Sequence, residues 1–264
     1  MKNVLITGGP TNEYIDEVMK ITNMSSGKVA IEMAKYFVDN GDKVTLLLTK
    51  GIRNPILDEL SKMENFGLVR FETTQELLLC IQTCATMENY YDIIVHSAAV
   101  GDYKPEFSFR MEDMAKEIAD YVVENAFEIN EAFIEGLDLE KAIFNILTNP
   151  KCMVNDDTKI SSVEPNLTVK LGLTPKIIAS LRQMFPNAFI CGFKLLENVP
   201  EEELVDAAIK QINKCNTNLV FANDLAKLRN GDAARLVVTR NGYNGIKVDG
   251  AYGIFNLIKI VTSE

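Results

Sequence analysis

Uninterrupted apolar runs alternate with amphipathic helical patterns from the first residues onward, and this alternation limits the possible folds more than any other feature of the chain. Val4-Leu5-Ile6 is apolar throughout, Ser26 to Asn40 repeats apolar side chains at helical spacing before Gly41, and Val44-Thr45-Leu46-Leu47-Leu48 is a second buried run. Leu68 to Phe71, Thr74 to Met87 and Ile93-Ile94-Val95 continue as strand, helix and strand. Later come Thr168 to Leu173 (strand), Pro175 to Met184 (helix), Ala188 to Phe193 (strand), Glu201 to Lys214 (helix) and Leu219 to Ala222 (strand). Strands that are apolar on both faces predict a parallel sheet covered by helices on each side. The end differs: Arg235 to Thr239, then Asn241-Gly242, then Gly245 to Val248 predicts a β-hairpin, followed by a helix over Ile254 to Val261. The expected fold class is α/β, doubly wound and mostly parallel.

At about 150 residues per domain the 264 residues suggest one large domain or two small ones, and the reading adopted is a single domain over 1–264. Residues 105–150 carry eleven acidic and three basic side chains, most of the formal charge of −10. Within them Met111, Met114, Ala115, Ile118, Tyr121 and Val122 recur at helical spacing. The stretch 105–157 therefore reads as a helical insertion. It is either a solvated face over a packed stripe or an arm or lid with a function of its own.

Composition removes several classes. An acidic chain of pI near 4.8 lacks the basic footprint of a nucleic-acid binder. No apolar run approaches the roughly 18 residues of a membrane span, and Met1 to Thr7 enters a strand pattern without the apolar region of a signal peptide. The expected location is cytoplasmic. Cys80, Cys84, Cys152, Cys191 and Cys215 form no C-x-x-C pair and read as structural thiols in a reducing compartment. His96 is the only histidine, which makes zinc and serine-hydrolase chemistry poor expectations.

Chemistry-bearing residues cluster at predicted strand ends. The first strand runs into Thr7-Gly8-Gly9-Pro10-Thr11, a turn in which glycine lets the backbone approach a phosphate or simply fits a tight bend. Asn23-Met24-Ser25-Ser26-Gly27-Lys28 precedes the first long helix, where amides and hydroxyls suit an anion, although one Ser as an ordinary helix cap would explain it. Two such segments beside one crevice favour a nucleotide-phosphate site. Ala98-Ala99-Val100-Gly101-Asp102 follows the fourth strand and Asn223-Asp224 a later one, at the same predicted edge. No G-x-G-x-x-G is present, and the second strand ends in Thr49-Lys50 rather than in an acidic ribose ligand. Ser26-Gly27-Lys28 fails as a P-loop because Thr22 and Val29 stand where Gly and Ser/Thr are required. Tyr243-x-x-x-Lys247 has dehydrogenase spacing but falls in the hairpin.

Taken together, Thr11-x-Glu13-x-Ile15-Asp16-x-Val18-x-x-Ile21-Thr22-Asn23-x-Ser25-Ser26-Gly27-Lys28, Ala98-Ala99-Val100-x-Asp102-Tyr103, Lys159-Ile160, Gly192-Phe193 and Ala222-Asn223-Asp224 resemble phosphopantothenoylcysteine synthetase of coenzyme A biosynthesis, in the family's order. The resemblance spans nearly the whole chain apart from the acidic insertion and implies a Rossmann-like sheet. It implies a ligase that joins 4′-phosphopantothenate to cysteine through an acyl nucleotide, in a stand-alone form without flavin. Asn23, Ala98, Ala99 and Asp102 would bind phosphopantothenate, partly across a homodimer. Gly8, Gly9, Ser25, Ser26, Gly27, Phe193 and Asn223 would line the nucleotide. Asn23 and Lys159 would be catalytic, with Mg²⁺ accompanying the triphosphate. The chain departs from the family at Met19-Lys20, at Ser161-Ser162 and at Lys194-Leu195-Leu196 before Glu197, positions that bear on nucleotide choice; CTP is expected ahead of ATP. A nicotinamide-dependent oxidoreductase and a non-catalytic nucleotide sensor are the rival readings.

Overall fold

The structure, a computed structural model, describes residues 1–86, 90–125, 139–154, 159–161 and 163–263. In chain order the strands are β1 Asn3–Gly8, β2 Asn12–Tyr14, β3 Lys20–Thr22, β4 Lys43–Thr49, β5 Phe66–Phe71, β6 Ile93–His96, β7 Tyr103–Arg110, β8 Met153–Val154, β9 Leu167–Leu173, β10 Phe189–Leu196, β11 Leu219–Asp224, β12 Arg235–Thr239 and β13 Gly242–Val248. The helices are α1 Lys28–Asp39, α2 Pro55–Leu60, α3 Thr74–Thr86, α4 Met111–Glu124, α5 Leu139–Thr148, α6 Ile177–Met184, α7 Glu201–Cys215, α8 Leu225–Arg229 and α9 Gly250–Val261. They fall into two compact units where one domain was expected: Met1–Asn12, Thr22–Asp102 and Pro175–Glu264 form the first, Glu13–Ile21 and Tyr103–Thr174 the second.

The first unit is an eight-stranded sheet in the order β13-β12-β11-β10-β6-β1-β4-β5. All pairs from β5 to β11 are parallel, while β12 and β13 join antiparallel as the expected hairpin. Val4, Leu5 and Ile6 of the central β1 are completely buried, as its apolar run predicts. On one face Val4, Ile6, Leu46 and Phe221 pack with Ala30, Ile31, Ala34 and Phe37 of α1 and with Ile254 and Ile258 of α9. On the other, Leu5, Leu47 and Ile94 pack with Leu77 and Ile81 of α3 and Leu181 of α6, and Leu204, Ala208 and Ile212 of α7 cover Val220 and Ala222. Strand neighbours alternate between these two layers because side-chain direction has period two. The chain leaves β1 toward β4 and β5, then returns to the opposite side of β1 with β6, which puts a topological switch between β1 and β6.

The second unit corrects the helical reading of 105–157. That stretch opens within β7, which pairs antiparallel with β9 and β8 in a three-stranded sheet. Thr168 to Leu173 is thus a strand, as expected, but belongs to this small sheet rather than to the parallel one. The stripe from Met111 to Val122 forms α4, with Met114 buried. Residues 126–138 and 155–158 of the expected insertion lie outside the described residues. The Glu117 carboxylate accepts the N–H groups of Lys151 and Cys152 at 3.0 Å, tying α4 to the segment before β8.

Candidate active site at the sheet switch point

Parallel doubly wound sheets bind ligands outside the carboxyl ends of the strands that flank the switch. Here those ends are the turns after β1 and β6, which are stitched together: Ala99 N–H donates to Gly9 O at 2.9 Å, Thr11 N–H to Ala99 O at 3.3 Å and Gly101 N–H to Thr11 Oγ1 at 2.9 Å. Beneath them, Thr7 Oγ1 lies 2.9 Å from His96 Nδ1 and accepts Ala98 N–H at 3.2 Å. Burial pushes the His96 imidazole down to about 4, so it is neutral at pH 7 and serves this turn as a fixed hydrogen-bonding wedge.

Gly8 is glycine for packing. A Cβ there would fall 2.3 Å from the Cβ of Ala30, so its absence lets α1 lie directly on β1. Gly27 begins α1 in the left-handed region at φ 68°, and a Cβ on it would stand 3.0 Å from Leu48 Cδ1 and 3.3 Å from Gly9 N. The two glycine segments therefore meet backbone to backbone. No side chain caps the start of α1. The N-cap position is Gly27 rather than a serine, and the Ser25 and Ser26 hydroxyls accept from Gly27 and Lys28 N–H at 3.4 Å, so Ser26 meets the first amide of α1 and the next amides of the first turn lie beside Gly9 without a side-chain cap among the described residues. First-turn amides and the helix dipole favour an anion at such a terminus.

Asn23 is exposed, and its Nδ2 donates to Ala99 O at 3.3 Å and Val100 O at 3.1 Å, which brings the segment before α1 over the turn after β6. With both amide hydrogens engaged, Asn23 reaches a ligand oxygen only by releasing one of these carbonyls. Ala98 and Ala99 likewise use their N–H groups internally, which leaves small side chains and close backbone approach as what they offer a ligand. Phe193 stacks on Phe221 with ring centroids 5.3 Å apart, and Asn223 follows two residues beyond Phe221, on the face that carries α1. Asp224 beside it caps α8 and binds Asn198 and Val199 N–H, a structural role.

One contributor was not legible. Lys176 forms an ion pair with Asp102, so the crevice rim carries a cation where the sequence offered only a carboxylate. Lys159 lies in the second unit, exposed, next to Asp16, whose carboxylate accepts the N–H of Ile160 at 2.9 Å. Asp16 was part of the matching motif without an assigned task; its three main-chain donors, Val18, Met19 and Ile160, supply one.

The oxidoreductase reading loses its supports. Thr49, where an acidic ribose ligand would stand, donates its hydroxyl to Pro10 O at 2.5 Å and so braces the glycine turn. Lys247 is paired with Glu201 at 3.2 Å and is separated from Tyr243 by Gly245 at φ 87°. Among the described residues, no group of three or more His, Cys, Asp or Glu could hold a metal ion, and no helix is long and apolar enough to cross a membrane.

Comparison with known proteins agrees with this geometry. Residues 1–141 match the family described as DNA/pantothenate metabolism flavoprotein C-terminal domain. The coenzyme A biosynthesis bifunctional protein CoaBC of Thermococcus kodakarensis is 33% identical over 224 residues, covering 85% of this chain and 41% of that protein. The chain spans less than half the length of the curated relatives it matches. The DNA/pantothenate metabolism flavoprotein from Streptococcus pneumoniae superposes with a TM-score of 0.73 at 26% identity over the whole of both chains. At the level of fold alone, a Cab2 variant solved as a complex with phosphopantothenate-cysteine matches with a TM-score of 0.60 at 18% identity, covering 99% of this chain and 85% of that one. The chain belongs to the DNA/pantothenate metabolism flavoprotein C-terminal domain family.

Proposed function

We propose that this chain joins 4′-phosphopantothenate to L-cysteine, using CTP in preference to ATP. The observation that carries the reading is the meeting of Gly8-Gly9, the Ser25-Ser26-Gly27 helix start and the Ala98–Asp102 turn at one switch point, in a chain of this family.

A free carboxylate is a poor acyl donor. In the first step its oxygen attacks the nucleotide α-phosphorus and pyrophosphate leaves; in the second the cysteine amine attacks the acyl carbon, loses a proton, and the nucleoside monophosphate departs. Catalysis of this kind depends on positioning and on stabilising charge on the phosphates. Gly9, Ser25, Ser26 and Gly27 supply close backbone approach and a helix start for the nucleotide phosphates, and Phe193 and Asn223 line its remaining part. Ala98, Ala99 and Asp102 hold phosphopantothenate, with Lys176 offsetting the Asp102 charge. Asn23 orients the acyl-phosphate oxygen, and Lys159 contributes mobile positive charge in turnover. Mg²⁺ accompanying the nucleotide would supply screening of the phosphate charge; flavin has no part in the proposed reaction.

The reading includes a cytoplasmic homodimer, in which Asn23 and Asp102 complete sites shared between subunits, as the resemblance implies. Sedimentation of an active protein at twice the 29.5 kDa chain mass is the expected result, and a fully active monomer would remove this part. Thermal-shift measurements with CTP, ATP and NADH, each with and without Mg²⁺, test the ligand class. Stabilisation by Mg²⁺-CTP is expected; stabilisation by NADH alone would restore the oxidoreductase.

A further inference from the structure

A second cavity lies in the first unit at the opposite edge of the sheet, where β10 and β11 begin and β12 ends. Its volume is about 580 Å³, within the range of small-molecule sites. Two of its lining residues are arginines, Arg182 from α6 and Arg240 just after β12, and none is acidic, although the chain as a whole carries an excess of ten acidic charges. Neither guanidinium has a carboxylate within 4.0 Å among the described residues.

One residue holds both. Arg182 Nε donates to Asn216 O at 3.0 Å, and Arg240 Nη2 donates to Asn216 Oδ1 at 2.5 Å, with Asn216 itself in the left-handed region at φ 52°. Arg182 is fixed further by donation to Pro186 O at 2.9 Å, Ala188 O at 2.8 Å and Asn218 Oδ1 at 2.7 Å. It is half-buried; burial, together with the facing Arg240 charge, pushes its pKa below the ordinary range. Thr217, also in the lining, is 2% exposed, and its hydroxyl has no hydrogen-bond partner among the described residues. A like-charged pair with no counter-charge among the described residues is unfavourable, and an oxyanion reached by the Arg240 fork and by the one Nη2–H that Arg182 has left would reverse its sign. Arg240 is the exposed member and has a single hydrogen bond among the described residues, so most of its donors remain for a ligand.

We propose that this cavity binds a small phosphate-class polyanion between Arg182 and Arg240, at a site separate from the crevice at the strand carboxyl ends. Arg182 is the preset half because its carbonyl contacts fix its plane, and Arg240 closes on the ligand. Pyrophosphate spans the Arg240 fork and the remaining Arg182 Nη2–H better than a single phosphate, whereas a monoanion such as chloride cannot bridge the two.

The test is a titration of the full-length protein with sodium pyrophosphate, and separately with inorganic phosphate, followed by ¹⁵N–¹H spectra that resolve arginine Nε–H and asparagine side-chain amides. Saturable shifts at Arg182 Nε–H and Asn216 are expected, with pyrophosphate tighter than phosphate and both weakened by added salt. Arg240→Gln should weaken pyrophosphate binding by about 10- to 100-fold, the effect of losing charge-assisted hydrogen bonds, and should leave the melting temperature unchanged. Shifts confined to residues around Gly27, or equal affinity in the wild type and the Arg240→Gln variant, would overturn the proposal. The Arg182 signal in the wild-type protein decides the matter even if the variant folds poorly.

Discussion

Asp16 and Ile160 are 144 residues apart in sequence, and the Asp16 Oδ2 accepts the buried Ile160 N–H at 2.9 Å. The same carboxylate takes the N–H groups of Val18 and Met19, so one side chain closes its own turn and fastens the strand-less segment that carries Lys159. Main-chain donation from Met19, then from Ile160, holds its pKa below the ordinary 3.8, with the Lys159 charge adding to the effect. Because the folded pKa is the lower one, this contribution is complete above about pH 4 and fades as the pH falls further through the folded value. Hydrogen exchange should therefore find the Ile160 amide protected from neutrality through about pH 4, with protection lost only as the pH falls through the lowered folded pKa. Asp16→Ala should abolish the protection at every pH, and an unchanged Ile160 exchange rate in that variant would refute the clasp.

Gly8 is expected to be irreplaceable for steric rather than conformational reasons. Gly8→Ala places a methyl group against Ala30 and should cost about 1–3 kcal/mol in denaturant unfolding, the usual range for overpacking. Adding Ala30→Gly should recover part of the loss. A Gly8→Ala protein as stable as the wild type would show that α1 does not press on β1 in this way.

His96 makes stability depend on mild acid. The unfolded chain takes up a proton near pH 6.5 and the folded chain only near pH 4, so the unfolded state binds more protons between these values. Stability is complete above about pH 6.5 and should fall by about 2 kcal/mol between pH 7 and pH 5. In His96→Gln that loss should shrink markedly, measured as urea midpoints at the two pH values. Parallel losses in both proteins would assign the acid sensitivity to other groups.

Lys159 is exposed and makes a small contribution to folding on the present account. Lys159→Gln should unfold at the wild-type temperature while turnover drops about 10²–10³-fold, the order seen on removal of one electrostatic stabiliser. Nucleotide affinity should change little. Turnover near the wild-type value would return Lys159 to the surface.

The parallel sheet was legible because β1, β4, β6 and β11 are apolar on both faces, a pattern that only a two-sided burial produces. The second unit was misread for a local reason. Glu106-Phe107-Ser108-Phe109-Arg110 alternates with period two, yet Pro105 before it and the helical stripe after Arg110 masked a strand whose partner, Leu167 to Leu173, lies some sixty residues on. The glycine and hydroxyl segments of the site could be read from their place at strand ends. The Lys176–Asp102 pair, the Asp16 clasp and the internal use of the Ala98 and Ala99 amides could not, because each depends on which groups distant in sequence the fold brings within reach.

Pyrophosphate release measured with and without 4′-phosphopantothenate tests the proposed reaction most directly. With Mg²⁺-CTP the protein should release pyrophosphate only when phosphopantothenate is present, and the cysteine amide should accumulate once cysteine is added. Release of inorganic phosphate that is indifferent to phosphopantothenate, with no amide formed, would contradict the account.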